Sequence, residues 1–158
     1  MNIRKNQLNG QFLETGSAVL TKGYRLKANY VIHTVGPHWF KDKSPHQLLK
    51  DAYWNSLEAA YTAGIQTVSF PSISTGIYGF PVAQAAKIAI NTILGFLELS
   101  EMKEVRMVIF SQDDYLIYSE ALDEINWGQW AITAIRHTAI VIVTGGSDSR
   151  WIDSVAPM

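Results

Sequence analysis

The run Pro71-Ser72-Ile73-Ser74-Thr75-Gly76-Ile77-Tyr78-Gly79-Phe80-Pro81 holds the chain's densest chemistry-bearing pattern. Gly76 and Gly79 reach backbone conformations, and permit close approaches, that a Cβ forbids. Successive amide N–H groups leading into a helix N-terminus form a cradle for an anion. The chemistry on offer is therefore a grip on a phosphate or diphosphate made mostly of backbone. On glycine spacing alone, the plainer reading is a strand-to-helix turn that binds nothing. The loop contains neither Gly-Lys-Ser/Thr nor G-x-G-x-x-G.

Other chemistries find less support. His33, His38, His46 and His137 show no H-x-x-x-H spacing, so no metal site is expected. The chain has no cysteine, which excludes disulfides, thiolate catalysis and Cys-ligated zinc. No cofactor is expected. His33 lies within an apolar run and reads as a hydrogen-bonded core residue, not as a catalytic base. A net charge of −1 with scattered Lys and Arg leaves no electrostatic footprint for a nucleic-acid polymer. With no signal peptide and no apolar run long enough for a bilayer, the expectation is no membrane contact and a soluble, cytoplasmic protein. A length of 158 residues with 47% hydrophobic content suits one domain with a sizeable core.

The loop must be positioned by what flanks it. Thr67-Val68-Ser69-Phe70 is apolar and β-branched, and residues 66–73 read as a buried strand; an alanine-rich helical pattern follows over residues 82–97. Loops at the carboxyl ends of sheet strands are where α/β proteins bind ligands. Before this unit come two short strands, at residues 18–21 and 30–35, and a helix opened by Ser44-Pro45 and closed by Gly64. That helix carries Leu49, Ala52, Tyr53, Leu57 and Ala60 at core spacing. After it come a strand at residues 104–110, ending in Phe110, and a helix capped by Ser111 or Asp113 that carries Tyr115, Tyr118, Leu122 and Ile125. The alternation predicts a three-layer α/β/α fold. Residues 1–16 read as a polar arm, residues 17–126 as the domain, and residues 127–158 as an atypical tail with a strand at 138–143. That last run is apolar without alternation, which suits a strand covered on both faces; the alternative is an edge strand or an aggregation-prone remnant of an altered reading frame.

Three strings together resemble the macro domain family: Ser74-Thr75-Gly76-Ile77-Tyr78-Gly79-Phe80-Pro81, Tyr30-Val31-Ile32-His33-Thr34-Val35-Gly36-Pro37, and Thr15-Gly16-Ser17-Ala18-Val19-Leu20-Thr21-Lys22-Gly23-Tyr24. The resemblance runs from about Leu8 to Asn126. It implies a macro-like mixed sheet and ADP-ribose or a derivative as ligand, with an ADP-ribosylated protein as a further partner. Ser74, Thr75, Gly76, Ile77, Tyr78, Gly79 and Phe80 become the substrate-binding loop, Tyr78 and Phe80 shielding the diphosphate. Phe110 becomes the ring that stacks on the nucleoside; its other reading is an ordinary strand-end core aromatic.

No counterpart is found for the family's first two strands, its adenine-binding acidic residue, its Asn-Ala-Ala-Asn segment or its glycine-rich first loop. The resemblance therefore implies an N-terminally incomplete domain, and no catalytic residue is assigned. Any activity it implies is hydrolysis, either of O-acetyl-ADP-ribose or of a mono-ADP-ribosyl linkage. The alternative is a non-catalytic reader, or a degenerate domain with a structural or interaction role. In the family's sheet one missing strand lies between the strands holding His33 and Ser69, where the absence leaves backbone groups unpaired. The tail strand at 138–143 is expected to fill that gap and bring Thr144-Gly145-Gly146-Ser147, with Asp148, beside the loop.

Overall fold

The computed structural model describes residues 11–126, together with the backbone of residues 139–144 and 154–155. The first ten residues of the expected arm, and residues 145–148, lie outside the described residues. Ala18–Lys22 (β1) and Tyr30–Thr34 (β2) pair antiparallel, with Ala18 opposite Thr34 and Lys22 opposite Tyr30. Their connection is drawn tight by the Gly23 N–H on the Asn29 carbonyl at 2.7 Å.

Pro45–Thr62 (α1) starts with a proline in its first turn, where a missing N–H leaves no bond unmade. Ser44 caps it through its backbone carbonyl alone, accepting from Leu48 N–H at 3.0 Å. Past its end Gly64 has φ +72, the left-handed conformation that closes a helix without a Cβ penalty. Leu49, Ala52, Tyr53, Leu57 and Ala60 bury one face, as their spacing requires.

Thr67–Phe70 (β3), Val82–Glu98 (α2) and Glu104–Ile109 (β4) form a parallel crossover, in which Thr67 pairs with Glu104 and Phe70 with Met107. Gln112–Asn126 (α3) follows, capped by Ser111 Oγ, which accepts from Asp114 N–H at 3.1 Å. Helix α2 packs against both α1 and α3. The strand residues divide by period two. Val68, Phe70, Val105, Met107 and Ile109 are buried with the helices, while Thr67, Ser69 and Val108 face outward beside the Arg106–Glu104 ion pair at 2.6 Å. Among the described residues, the helices thus cover one face of the sheet. The α/β class expected from the sequence is the one observed. No helix among the described residues is long and apolar enough to cross a membrane.

The tail strand forms, but its expected position is corrected. Ala139–Thr144 (β5) pairs parallel with β4, Glu104 opposite Ala139 and Ile109 opposite Thr144. Ser154–Val155 (β6) then pairs antiparallel with β5, giving the order β3-β4-β5-β6. The strand therefore lies on the far side of β4, not between β2 and β3. The physical reason lies in the face that α3 occupies. Helix α3 packs with α2, and the right-handed rule for parallel crossovers then favours continuing in the direction already set by β3-α2-β4 over reversing past β3. The sheets β1-β2 and β3-β4-β5-β6 remain separate among the described residues.

Candidate functional site

The β3–α2 loop leaves the carboxyl end of β3 and enters α2 through Pro81, whose extended φ/ψ of −61° and 125° aims the chain into the helix. Helix α2 has no side-chain N-cap and no acidic residue in its first turn, so its N-terminal dipole is uncompensated from within. The loop is folded by two internal bonds, Phe80 N–H to the Ser74 carbonyl at 3.0 Å and Gly79 N–H to the Gly76 carbonyl at 2.9 Å. The N–H groups of Gly76, Ile77 and Tyr78 donate to no backbone carbonyl, and all three residues are exposed. Three consecutive free donors beside a helix N-terminus can hold an anion.

Backbone conformation is set unevenly along the loop. Gly79 has φ +70, and a Cβ there would press on the Phe40 ring at 3.3 Å. Gly76 has no positive φ, and a Cβ on it would meet nothing within 4 Å. The expectation that both glycines are needed for unusual backbone angles therefore holds for Gly79 alone. Ser74, not Gly76, takes the second left-handed conformation in the loop, at φ +66. Its Oγ is buried without a hydrogen-bond partner, and a Cβ on Gly36 would collide with it and with Ile73. In sequence Gly36 stands out only as part of the string from Tyr30 to Pro37. Its further role is to let the β2 exit lie against the loop.

The aromatic residues take distinct places. Phe80 is 2% exposed and packs on Trp39 at 4.7 Å and His46 at 5.6 Å between ring centroids. The expected shielding of a ligand by Phe80 is corrected, because its ring faces the core and supports the loop from beneath. Tyr78 stacks on His38 at 5.5 Å, and its carbonyl accepts Trp39 N–H at 2.9 Å. Ile77 is 98% exposed and Phe40 81% exposed at the rim. Phe110 follows β4 at the same end of the sheet as the loop and is 90% exposed, which removes the core-aromatic reading. His33 bonds Thr21 Oγ1 through Nε2 at 3.0 Å, on the β1–β2 sheet.

Beneath the loop lie groups that sequence reading treated as packing. The Tyr53 hydroxyl donates to the Pro71 carbonyl at 3.3 Å and accepts Ile73 N–H at 3.1 Å. The Tyr118 hydroxyl bonds Ser72 Oγ at 2.7 Å, and Thr75 Oγ1 donates to Ser72 Oγ at 2.9 Å. Both phenols are completely buried, and loss of solvation pushes their pKa values above the ordinary 10.0. The signal that could have marked them is general: a buried tyrosine hydroxyl needs a partner. Among the described residues no cluster of three or more His, Asp or Glu is placed to hold a metal.

The Macro domain family model matches residues 1–89. A macro domain-containing protein of Caldanaerobacter subterraneus subsp. tengcongensis is 50% identical over 113 residues, covering 71% of this chain and 65% of that protein. An O-acetyl-ADP-ribose deacetylase of Cronobacter turicensis is 45% identical over 114 residues, covering 70% of this chain and 64% of that protein. The chain thus spans about two thirds or less of the length of these relatives, at 65% and 64%. Among solved structures, an Oceanobacillus iheyensis macrodomain variant with ADPR superposes with a TM-score of 0.75 at 43% identity, covering 78% of this chain and 67% of the other. A Trypanosoma brucei macrodomain in complex with ADP-ribose gives 0.62 at 34% identity, covering 69% and 46%.

Proposed function

Because the chain belongs to the macro domain family, we propose that its β3–α2 loop binds ADP-ribose or an ADP-ribose derivative. The diphosphate lies on the backbone of Ser74, Thr75, Gly76, Ile77, Tyr78 and Gly79, with the Tyr78 ring beside it and Phe80 holding the loop from below. The adenosine end reaches Phe110, whose free ring is a stacking surface. The observation that carries the reading is the row of free N–H groups at Gly76, Ile77 and Tyr78 before the uncapped N-terminus of α2. Such donors favour a dianionic group over a neutral one. Support also comes from the relatives, one named as an O-acetyl-ADP-ribose deacetylase and one solved with ADPR.

Hydrolysis of O-acetyl-ADP-ribose, or of a mono-ADP-ribosyl linkage on a protein, is the reaction class that fits this ligand. The bound diphosphate would position water against an ester or glycosidic carbon, which is catalysis by proximity. A second reading is a reader without turnover, favoured by the state of the phenols nearest the loop. Tyr53 and Tyr118 are held neutral by burial and bonded to loop groups, so neither is a general base. An ADP-ribosylated protein as partner, a cytoplasmic location, and the division into residues 1–16, 17–126 and 127–158 belong to the same proposal.

Calorimetric titration with ADP-ribose, followed by incubation with O-acetyl-ADP-ribose and assay of released acetate, tests it. Binding with acetate release supports the hydrolase, and binding alone supports the reader. A folded protein that binds no ADP-ribose overturns both.

A further inference from the structure

We propose that Tyr118 and Tyr53 are positioning residues for the ligand loop: Tyr118 forms a hydroxyl chain with Ser72 and Thr75, Tyr53 clamps the backbone at Pro71 and Ile73, and together they hold the loop in the shape presenting its amides. The ligand part of this proposal rests on the functional reading above, whereas the loop-holding part does not. Four side chains from three separate parts of the sequence meet here. Tyr53 comes from α1, Tyr118 from α3, and Ser72 and Thr75 from the loop between β3 and α2. The helices that deliver the phenols both pack on α2, whose N-terminus the loop enters.

Two sets of bonds hold the loop. Thr75 Oγ1 lies 2.9 Å from Ser72 Oγ and 3.2 Å from the Ser72 carbonyl, and Ser72 Oγ lies 2.7 Å from the Tyr118 hydroxyl. Beside this chain, the Tyr53 hydroxyl donates to the Pro71 carbonyl at 3.3 Å and accepts Ile73 N–H at 3.1 Å. Together these bonds hold the loop backbone at Pro71 and Ile73 and its side chains at Ser72 and Thr75. Ser74, next in sequence, is held at φ +66, a conformation that a non-glycine residue keeps only when its surroundings impose it. Burial keeps both phenols protonated at neutral pH, so these bonds persist there. Core packing alone would be met by phenylalanine at both positions.

The test uses Tyr118→Phe, which deletes one end of the hydroxyl chain while keeping the ring, and Thr75→Val, which deletes the other. Ser72→Ala replaces Tyr118→Phe should that variant not fold. In ligand-free protein, Tyr118→Phe is expected to speed amide exchange across residues 73–80 and leave residues 85–97 as in wild type. The Kd for ADP-ribose should rise about tenfold, in line with the loss of a buried hydrogen bond. Combined with Thr75→Val, the loss should be less than the product of the single losses, because both changes break one chain. Loop exchange and Kd both at wild-type values, with only the urea midpoint lowered, would overturn the proposal and leave Tyr118 as core packing. Fully multiplicative losses would overturn the continuity of the chain. If wild type binds no ADP-ribose, the functional reading fails by itself, and the exchange experiment alone decides whether the phenols hold the loop.

Discussion

Glycine carries different burdens at three positions of the same site, and each can be separated by substitution. At Gly79 a side chain must be accommodated at φ +70 and against the Phe40 ring. Gly79→Val is therefore expected to lower stability by about 1–2 kcal/mol, read from the urea midpoint, and to abolish ADP-ribose binding. Gly36→Ala should cost roughly 1–3 kcal/mol of stability, since its Cβ collides with Ser74 Oγ and Ile73. Gly76→Ala, with open space around it and no positive φ, should stay within about 0.5 kcal/mol of wild type. Equal losses at all three positions would show that the backbone angles of the loop are not what separates them. Phe110 makes a second residue-scale case. Because its ring is 90% exposed, Phe110→Ala should leave the urea midpoint unchanged. It should weaken ADP-ribose binding by about 1–3 kcal/mol, the range for base–aromatic stacking. Ribose-5-phosphate, which has no base, should lose less; equal losses would remove Phe110 from the nucleoside.

At the scale of elements, helix starts that look alike in sequence differ in what holds them. Ser44 and Ser111 both precede helices, and both residue types favour that position. Only Ser111 uses its side chain, accepting Asp114 N–H at 3.1 Å, whereas Ser44 makes no side-chain cap bond. Ser111→Ala is expected to destabilise the protein by about 1 kcal/mol and Ser44→Ala by a few tenths at most, measured by urea unfolding. The reverse order would mean that the first turn of α1 depends on Ser44 Oγ. Strand and helix identities were readable because apolar spacing is local. Val68 and Phe70 alternate with exposed Thr67 and Ser69, and Leu49, Ala52, Tyr53 and Leu57 follow the helical period.

For the molecule as a whole, the tail strand is part of the sheet, so its removal should be felt at β4. A chain ending at Asn126 loses the parallel ladder from Glu104–Ala139 to Ile109–Thr144 and exposes the β4 edge. Its urea midpoint should fall below that of the full chain, and an unchanged midpoint would remove β5 from the cooperative unit. The buried phenols add a pH dependence. Their folded pKa values lie above the ordinary 10.0, so the folded state holds these protons more tightly than the unfolded state. The stability linked to them is complete below about pH 10 and is lost as pH rises above it through the raised folded values. The drop in urea midpoint between pH 9 and pH 11 should accordingly be smaller in Tyr118→Phe than in wild type. A drop of the same size in both would mean that Tyr118 titrates alike in the folded and unfolded chain.

The ligand loop was legible from sequence because its glycines, hydroxyls and following helix are contiguous, and the kinship of the chain was legible in the same string. Local periodicity likewise determined the elements and their order. Tertiary structure alone decided three matters. It turned Phe80 into the core and left Phe110 free, because strand and loop direction, not residue type, sets which aromatic ring meets solvent. It joined Tyr53, Ser72, Thr75 and Tyr118, whose separation in sequence hides a contact made only when α1 and α3 close on the loop. It also placed β5 beside β4 and not between β2 and β3, since an apolar strand fits either slot equally well. With α3 packed beside α2, the right-handed rule for parallel crossovers favours the slot next to β4.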